Sequence, residues 1–200
     1  MAQKILIAST NRHKVEEIEE IFSFSKIEFI SLKAFEGVPE AIEDGKSFEE
    51  NALIKAKHYF KYAQIPVIAD DSGLVVPAIN GEPGIHSARY AGEQSAYDKN
   101  NELLLSRMKN LSGKQRFAYF VCVIVYFNGK DIFISEGRAE GQIIDQLKGE
   151  GGFGYDPLFY YPEAGMTFAE MGSEEKNQVS HRSHALLGLH EKLIKHLNLA

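Results

Sequence analysis

Four short segments of this 200-residue chain combine residue types and spacings that could do chemistry. The first is Ser9-Thr10-Asn11-Arg12-His13-Lys14, set between a strand-like run and a run with helical spacing. At such a junction the N–H groups and dipole of a helix start favour a phosphate, which Lys14 on the first turn can also reach. The same residues equally make a capped helix start with a surface lysine, and the glycine-lysine spacing of a P-loop is absent. The second segment, Asp70-Asp71-Ser72-Gly73, follows a hydrophobic strand. Successive strand side chains point to opposite faces, so at most one of the two carboxylates faces a given site. Asp-Ser-Gly is also ordinary turn chemistry. Glu40, Glu43 and Asp44, on the loop before the second predicted helix, are the carboxylates available to join it. Carboxylates without a His or Cys cluster suit Mg²⁺ or Mn²⁺ better than zinc.

The third segment, Gly149 to Pro157, places four of the chain's 17 glycines within six residues and adds Phe153, Tyr155 and Asp156. Glycine lets backbone approach a ligand closely, and the two aromatic rings offer flat faces for stacking a base. In the fourth, Glu175-Lys176-Asn177 precedes Ser180-His181-Arg182 at a helix start. Alone, His181 and Arg182 read as surface residues near a cap. Beside a phosphate-type loop and a stacking loop they become donors for a base edge or for phosphate oxygens.

The elements that must carry these residues follow from hydrophobic periodicity. Lys4–Ser9 and Ile27–Leu32 read as short strands, and Val15, Ile18, Ile21 and Phe22 recur at helical spacing between them. Glu16, Glu17, Glu19 and Glu20 fill the other face, as a solvated helix surface does. Ser47 caps a helix over Ser47–Ala63, with Glu50 three residues on. Pro66–Ala69 and Leu74–Pro77 read as two short strands flanking the Asp-Asp segment, and Tyr97–Leu111 as a helix. Arg116–Phe127 and Asp131–Gly137 flank Asn128-Gly129, the signature of a long hairpin, with strand character continuing to Ile144. A terminal helix begins at Ser180 and buries Leu186, Leu187, Leu193, Ile194 and Leu197. Helices and strands intermixed around a hairpin predict an α/β fold with a mixed sheet.

Composition removes whole classes of function. With 44% hydrophobic and 25% charged residues the chain has the makings of a core and not of a disordered or fibrous protein. A net charge of −6 argues against non-specific nucleic-acid binding, which needs a basic footprint. Cys122 is the only cysteine and lies inside the apolar run Phe117–Phe127, where a buried strand thiol is the natural reading. That run is far shorter than the roughly 20 residues of a membrane helix, and the N-terminus lacks signal-peptide anatomy. A soluble cytoplasmic protein without a membrane or nucleic-acid partner is expected.

In this order the four segments resemble the inosine triphosphate pyrophosphatase family, house-cleaning enzymes that hydrolyse non-canonical purine nucleoside triphosphates. The matching pieces are Ser9-x-Asn11-x-x-Lys14, Glu43-x-Gly45-x-Ser47-Phe48-x-x-Asn51-Ala52, Ala69 to Leu74, Gly81-x-Pro83-Gly84-x-x-Ser87-Ala88-Arg89, Gly151 to Pro157, and Glu175-Lys176-x-x-x-Ser180-His181-Arg182. The resemblance implies one domain over residues 1–200 with two lobes around a central twisted mixed sheet, the site in the cleft between them, and a homodimer. It further implies Mg²⁺-dependent cleavage of dITP, ITP or XTP to monophosphate and pyrophosphate, with Mn²⁺ as a possible substitute. It makes Asp71 the general base and a metal ligand, and Glu43 a second metal ligand. Ser9, Thr10, Asn11, Arg12, His13, Lys14 and Ser72 would contact the triphosphate, and Lys55 would add a phosphate contact. Phe153, Gly154, Tyr155, Asp156, Lys176, His181 and Arg182 would hold the nucleotide, mainly around the base.

This assignment makes chemical sense. Hypoxanthine and xanthine carry an acceptor oxygen at C6 where adenine carries a donor, so donors aimed at C6 reward the former. A site built on such hydrogen bonds discriminates by roughly 10⁴–10⁵. Guanine shares the C6 oxygen and must be refused through its 2-amino group. Two other classes compete: a nucleotide-binding module without hydrolysis, which has little use for Asp71 and Glu43 together, and a nucleic-acid protein stacking bases on Phe153 and Tyr155. The net charge and the lack of a basic, aromatic-interleaved stripe stand against the latter.

Overall fold

The computed structural model describes residues 3–23, 27–35, 37–92 and 96–197. The elements in chain order are β1 (Gln3–Ile7), α1 (Arg12–Ile21), β2 (Ile27–Ser31), α2 (Phe48–Ala63), β3 (Val67–Val75), α3 (Tyr97–Arg107), β4 (Phe117–Phe127), β5 (Ile132–Ile143), β6 (Phe159–Tyr161), β7 (Met166–Thr167), α4 (Ser173–Val179) and α5 (His181–Leu197). The strands form one seven-stranded sheet in the order β2-β1-β3-β4-β5-β6-β7. It is mixed: β1 pairs in parallel with β2 and β3, and β6 pairs antiparallel with β5 and β7. The predicted α/β class with a mixed sheet is the one observed.

By its internal contacts the chain divides into two compact units. One comprises Met1–Asp71, Cys122–Gly137 and His181–Ala200; the other comprises Ser72–Val121 and Arg138–Ser180. In the first unit two apolar clusters lie on the two faces of the strands. Ile5, Ile7, Ile68, Cys122, Ile124 and Tyr126 pack with Ile18 and Phe22 of the α1 segment and with Leu186, Leu189 and Leu193 of α5. Leu6, Val67, Ala69 and Val125 pack with Ala52, Ala56 and Tyr59 of α2. Period-2 alternation along β1, β3 and β4 produces this sorting, because neighbouring residues must serve opposite faces. The second unit has its own core, in which Leu74, Leu104, Phe120, Leu158, Phe159 and Phe168 are buried.

Local chemistry explains the element ends. Asn11 caps α1, its Oδ1 accepting the N–H groups of His13 and Lys14. Ser47 caps α2 by accepting the Glu50 N–H at 3.1 Å, and the helix stops at Gln64 in the left-handed region. The β4–β5 turn is closed by Asn128, whose Oδ1 accepts the N–H groups of Lys130 and Asp131.

Three expectations are corrected. The Asp-Asp-Ser-Gly segment is not a turn between two short strands, because β3 runs through it without a break. The terminal helix buries Leu186 and Leu193, but Leu187 is 51% exposed, since it sits 100° round the helix from Leu186. The Leu197 side chain lies outside the described residues. The seven-residue helix α4 was not anticipated, and Ser180 ends it as its C-cap.

Candidate active site

The first unit gathers its charges around β3. Asp70 and Asp71 are both buried, at 2% and 9% exposure, and point to opposite faces of the strand. On the α1 and α5 side, Asp70 Oδ2 lies 2.7 Å from Lys14 Nζ and 3.7 Å from Arg182 Nε. Arg182, itself only 2% exposed, donates through Nη1 to Glu17 Oε2 at 2.5 Å. Burial alone would favour the neutral acid of Asp70. The charges of Lys14, Arg182 and Lys55 overcome that and hold the carboxyl well below the usual carboxylate range. Burial would likewise favour deprotonation of Arg182, but Glu17 and Asp70 keep its charge firmly in place.

On the α2 side the arrangement is different. Asp71 Oδ2 accepts a hydrogen bond from Asn51 Nδ2 at 3.1 Å. Burial pushes the Asp71 carboxyl above its ordinary range; Lys55, Lys14 and the Asn51 donor pull it back without cancelling the shift, and the charge of Glu43 adds to it. Lys55 reaches Glu43 Oε2 at 3.0 Å and the Asp70 carbonyl at 2.9 Å. Burial would lower the Lys55 pKa, but Asp70, Glu43 and Asp71 raise it overall. The two neighbouring carboxylates therefore have different tasks. Asp70 is a locked counter-ion, and Asp71 is a buried carboxylate that holds a proton more readily than an ordinary one.

The segment Ser9 to Lys14 divides in the same way. Asn11 Oδ1 occupies the start of α1, and the Asn11 N–H donates to Ser9 Oγ at 3.2 Å. Arg12 is exposed and paired with Glu16 at 2.7 Å, and His13 is exposed beside it. Of Arg12, His13 and Lys14, it is Lys14 that turns inward, onto Asp70. Thr10 is exposed, and Ser72, next to Asp71 in β3, is half-buried. Glu40 and Asp44 are not drawn into the cluster by any ion pair among the described residues.

In the second unit the glycine-rich loop is organised by Asp156. Its Oδ2 accepts the Phe153 N–H at 2.8 Å and the Lys176 ammonium at 2.7 Å. Lys176 Nζ also stands 5.1 Å from the centre of the Phe153 ring, a cation–π contact. Gly152 adopts φ +68°, and a Cβ there would come 2.2 Å from Asp156 Oδ2, so the turn needs glycine for both reasons. Asn101 Nδ2 donates to the Gly154 carbonyl at 3.1 Å. Tyr155 is 4% exposed, packed in the unit's core with its hydroxyl on the Ser87 carbonyl at 2.9 Å. The ring this loop can offer a base is therefore that of half-buried Phe153.

Sequence reasoning passed over two participants. Glu17 reads as solvated helix surface, but it lies three residues from Lys14 and so on the same helix face, which was the available signal. Asn51 stands four residues before Lys55 in α2, again on one face.

With this geometry in view, likeness to known proteins is specific. Residues 5–192 match the Ham1 family, and the chain belongs to it. It is 50% identical over 188 residues to a dITP/XTP pyrophosphatase of Desulfotalea psychrophila, covering 93% of this chain and 83% of that one. It is 47% identical over 198 residues to a dITP/XTP pyrophosphatase of Clostridium perfringens, covering 96% and 97% of the two chains. Among solved structures, a HAM1 protein from Coxiella burnetii superposes with a TM-score of 0.90 at 39% identity, covering 96% of this chain and 99% of that one.

Proposed function

We propose that this protein hydrolyses dITP, ITP and XTP, breaking the P–O bond between the α- and β-phosphates to give the nucleoside monophosphate and pyrophosphate. The observation that carries the reading is the split between Asp70 and Asp71: one carboxylate neutralised by Lys14 and Arg182, the next buried with a raised pKa and oriented by Asn51. A water O–H that attacks phosphorus must lose its proton as the new P–O bond forms, and in this reading Asp71 takes it. Lys14 and Lys55 supply positive charge for the phosphate oxygens. Lys176 and His181 are the donors this reading assigns to the base, with Phe153 as its stacking face. Arg182, buried against Glu17 and Asp70, supports β3 and α1.

Magnesium belongs to the same reading, with Mn²⁺ as a substitute. Among the described residues no group of three or more His, Cys, Asp or Glu converges as a metal cage. Mg²⁺ commonly uses only one or two carboxylates plus water and substrate phosphates. The hard oxygens of Asp71 and Glu43, close enough for Glu43 to influence the Asp71 proton, fit that pattern. When bound, the ion would neutralise charge developing on the phosphate oxygens. The family resemblance also supports a homodimer, and a nucleotide-pool substrate supports work in the cytoplasm. No helix among the described residues is long and apolar enough to cross a membrane.

A panel of dITP, ITP, XTP, dGTP and ATP tests the function, with pyrophosphate release followed in Mg²⁺. Rapid turnover of the first three with dGTP and ATP nearly untouched is expected. Equal rates across the panel would overturn the base-selective reading.

A further inference from the structure

Asn51 is 1% exposed and sits in the first turn of α2, beside the small buried residue Ala52. Burying a carboxamide is costly unless both of its ends are satisfied. Here each end has its own partner. Oδ1 accepts the Gly45 N–H at 2.9 Å, and Nδ2 donates to Asp71 Oδ2 at 3.1 Å. A backbone N–H only donates and an ionised carboxylate only accepts, so this amide has one permitted orientation. Gly45 is closely fitted to it, because a Cβ on Gly45 would come 2.7 Å from Asn51 Oδ1 and 2.8 Å from Glu50 Cβ. Two residues before Gly45 is Glu43, which pairs with Lys55 one helical turn beyond Asn51. One face of α2 thus holds the Glu43 loop at two points, and the same two side chains reach β3, at the Asp71 carboxylate and the Asp70 carbonyl.

We propose that Asn51 is a positioning residue for the hydrolysis: its carboxamide fixes the Asp71 carboxylate and, through Gly45, the loop bearing Glu43. This rests on Asp71 being the base. No other common side chain meets both demands from this position. Aspartate keeps an acceptor for Gly45 but sets a second carboxylate against Asp71, alanine loses both contacts, and glutamine is a methylene too long.

The test uses the full chain with Mg²⁺ and dITP. It compares wild type, Asn51→Ala, Asn51→Asp, Asp71→Asn and the Asn51→Ala/Asp71→Asn double variant, with kcat, KM and thermal midpoint for each. Asn51→Ala is expected to lower kcat by about 10–100-fold, the usual effect of losing a partner that orients a catalytic group. KM should stay within about threefold, because the lost contact does not touch substrate. In the Asp71→Asn background the same change should alter the residual single-turnover rate by less than about twofold, since its effect runs through a carboxylate already removed. Asn51→Asp, which keeps the Gly45 contact, provides the folded comparison and should lose kcat to a similar degree. A cooperatively melting Asn51 variant with wild-type kcat, or a fully additive loss in the double variant, would overturn the positioning role. Retained turnover in Asp71→Asn would overturn the reading of the base itself, so the two failures are distinguishable.

Discussion

Asp70 and Asp71 are consecutive residues of one strand whose carboxylates answer to different helices: Asp70 Oδ2 meets Lys14 of α1 at 2.7 Å, and Asp71 Oδ2 meets Asn51 of α2 at 3.1 Å. The alternation of β3 separates them, and their surroundings then set opposite protonation tendencies. Two chemically similar substitutions should therefore have opposite signatures.

Asp71→Asn is expected to leave only a slow residual single-turnover rate while raising the thermal midpoint of metal-free protein at neutral pH. The folded-state pKa of Asp71 is raised, so the group favours folding below its unfolded value of about 3.9 and loses that contribution as pH rises through the folded value. At neutral pH the wild type carries the cost of a buried charge and the variant does not. Melting curves in chelator across the acid range check this: the advantage of the variant should fade towards about pH 4. A lower midpoint for the variant at neutral pH would contradict it.

Asp70→Asn should show the reverse. The folded pKa is depressed, so the stabilisation is present above about pH 3.9 and is lost as pH falls through the folded value. At neutral pH the change removes a partner from Lys14 and Arg182 in a buried network, for which a loss of about 3 kcal/mol is expected. Urea unfolding at neutral pH measures it, and the gap to wild type should close in strong acid.

Lys14→Ala is expected to weaken triphosphate binding more than monophosphate binding. Calorimetric titrations of dITP and dIMP in the Asp71→Asn background, where hydrolysis does not intervene, provide the comparison. Equal losses for the two ligands would remove Lys14 from the phosphate role.

Cys122 should be inert in the folded protein. The thiol is fully buried in β4, and burial together with the nearby Asp70 charge pushes its pKa up to about 12. A thiol-exchange reagent at pH 8 should leave it unmodified until denaturant is added. Rapid labelling of native protein would contradict the burial.

Much of this was legible in the sequence because it is locally encoded. The Asn11 and Ser47 caps, the Asn128 turn and the long strand before it depend on residues within a few positions of one another. The continuity of β3 was not legible: Asp-Asp-Ser-Gly has turn composition, but Lys14, Arg182 and Asn51 satisfy the two carboxylates inside the fold and let the strand continue. Glu17 was misread for a similar reason, since its partner Arg182 is 165 residues away in the chain. Tyr155 showed only its aromatic character, and burial against Ser87 decided that it supports the loop while Phe153 remains half-buried.

The most direct measurement is ³¹P NMR of the products formed from dITP in Mg²⁺ by wild type and by Asp71→Asn. Resonances of dIMP and pyrophosphate from wild type, with dITP persisting in the variant, are predicted. Orthophosphate in place of pyrophosphate, or unchanged turnover by Asp71→Asn, would contradict the cleaved bond or the base.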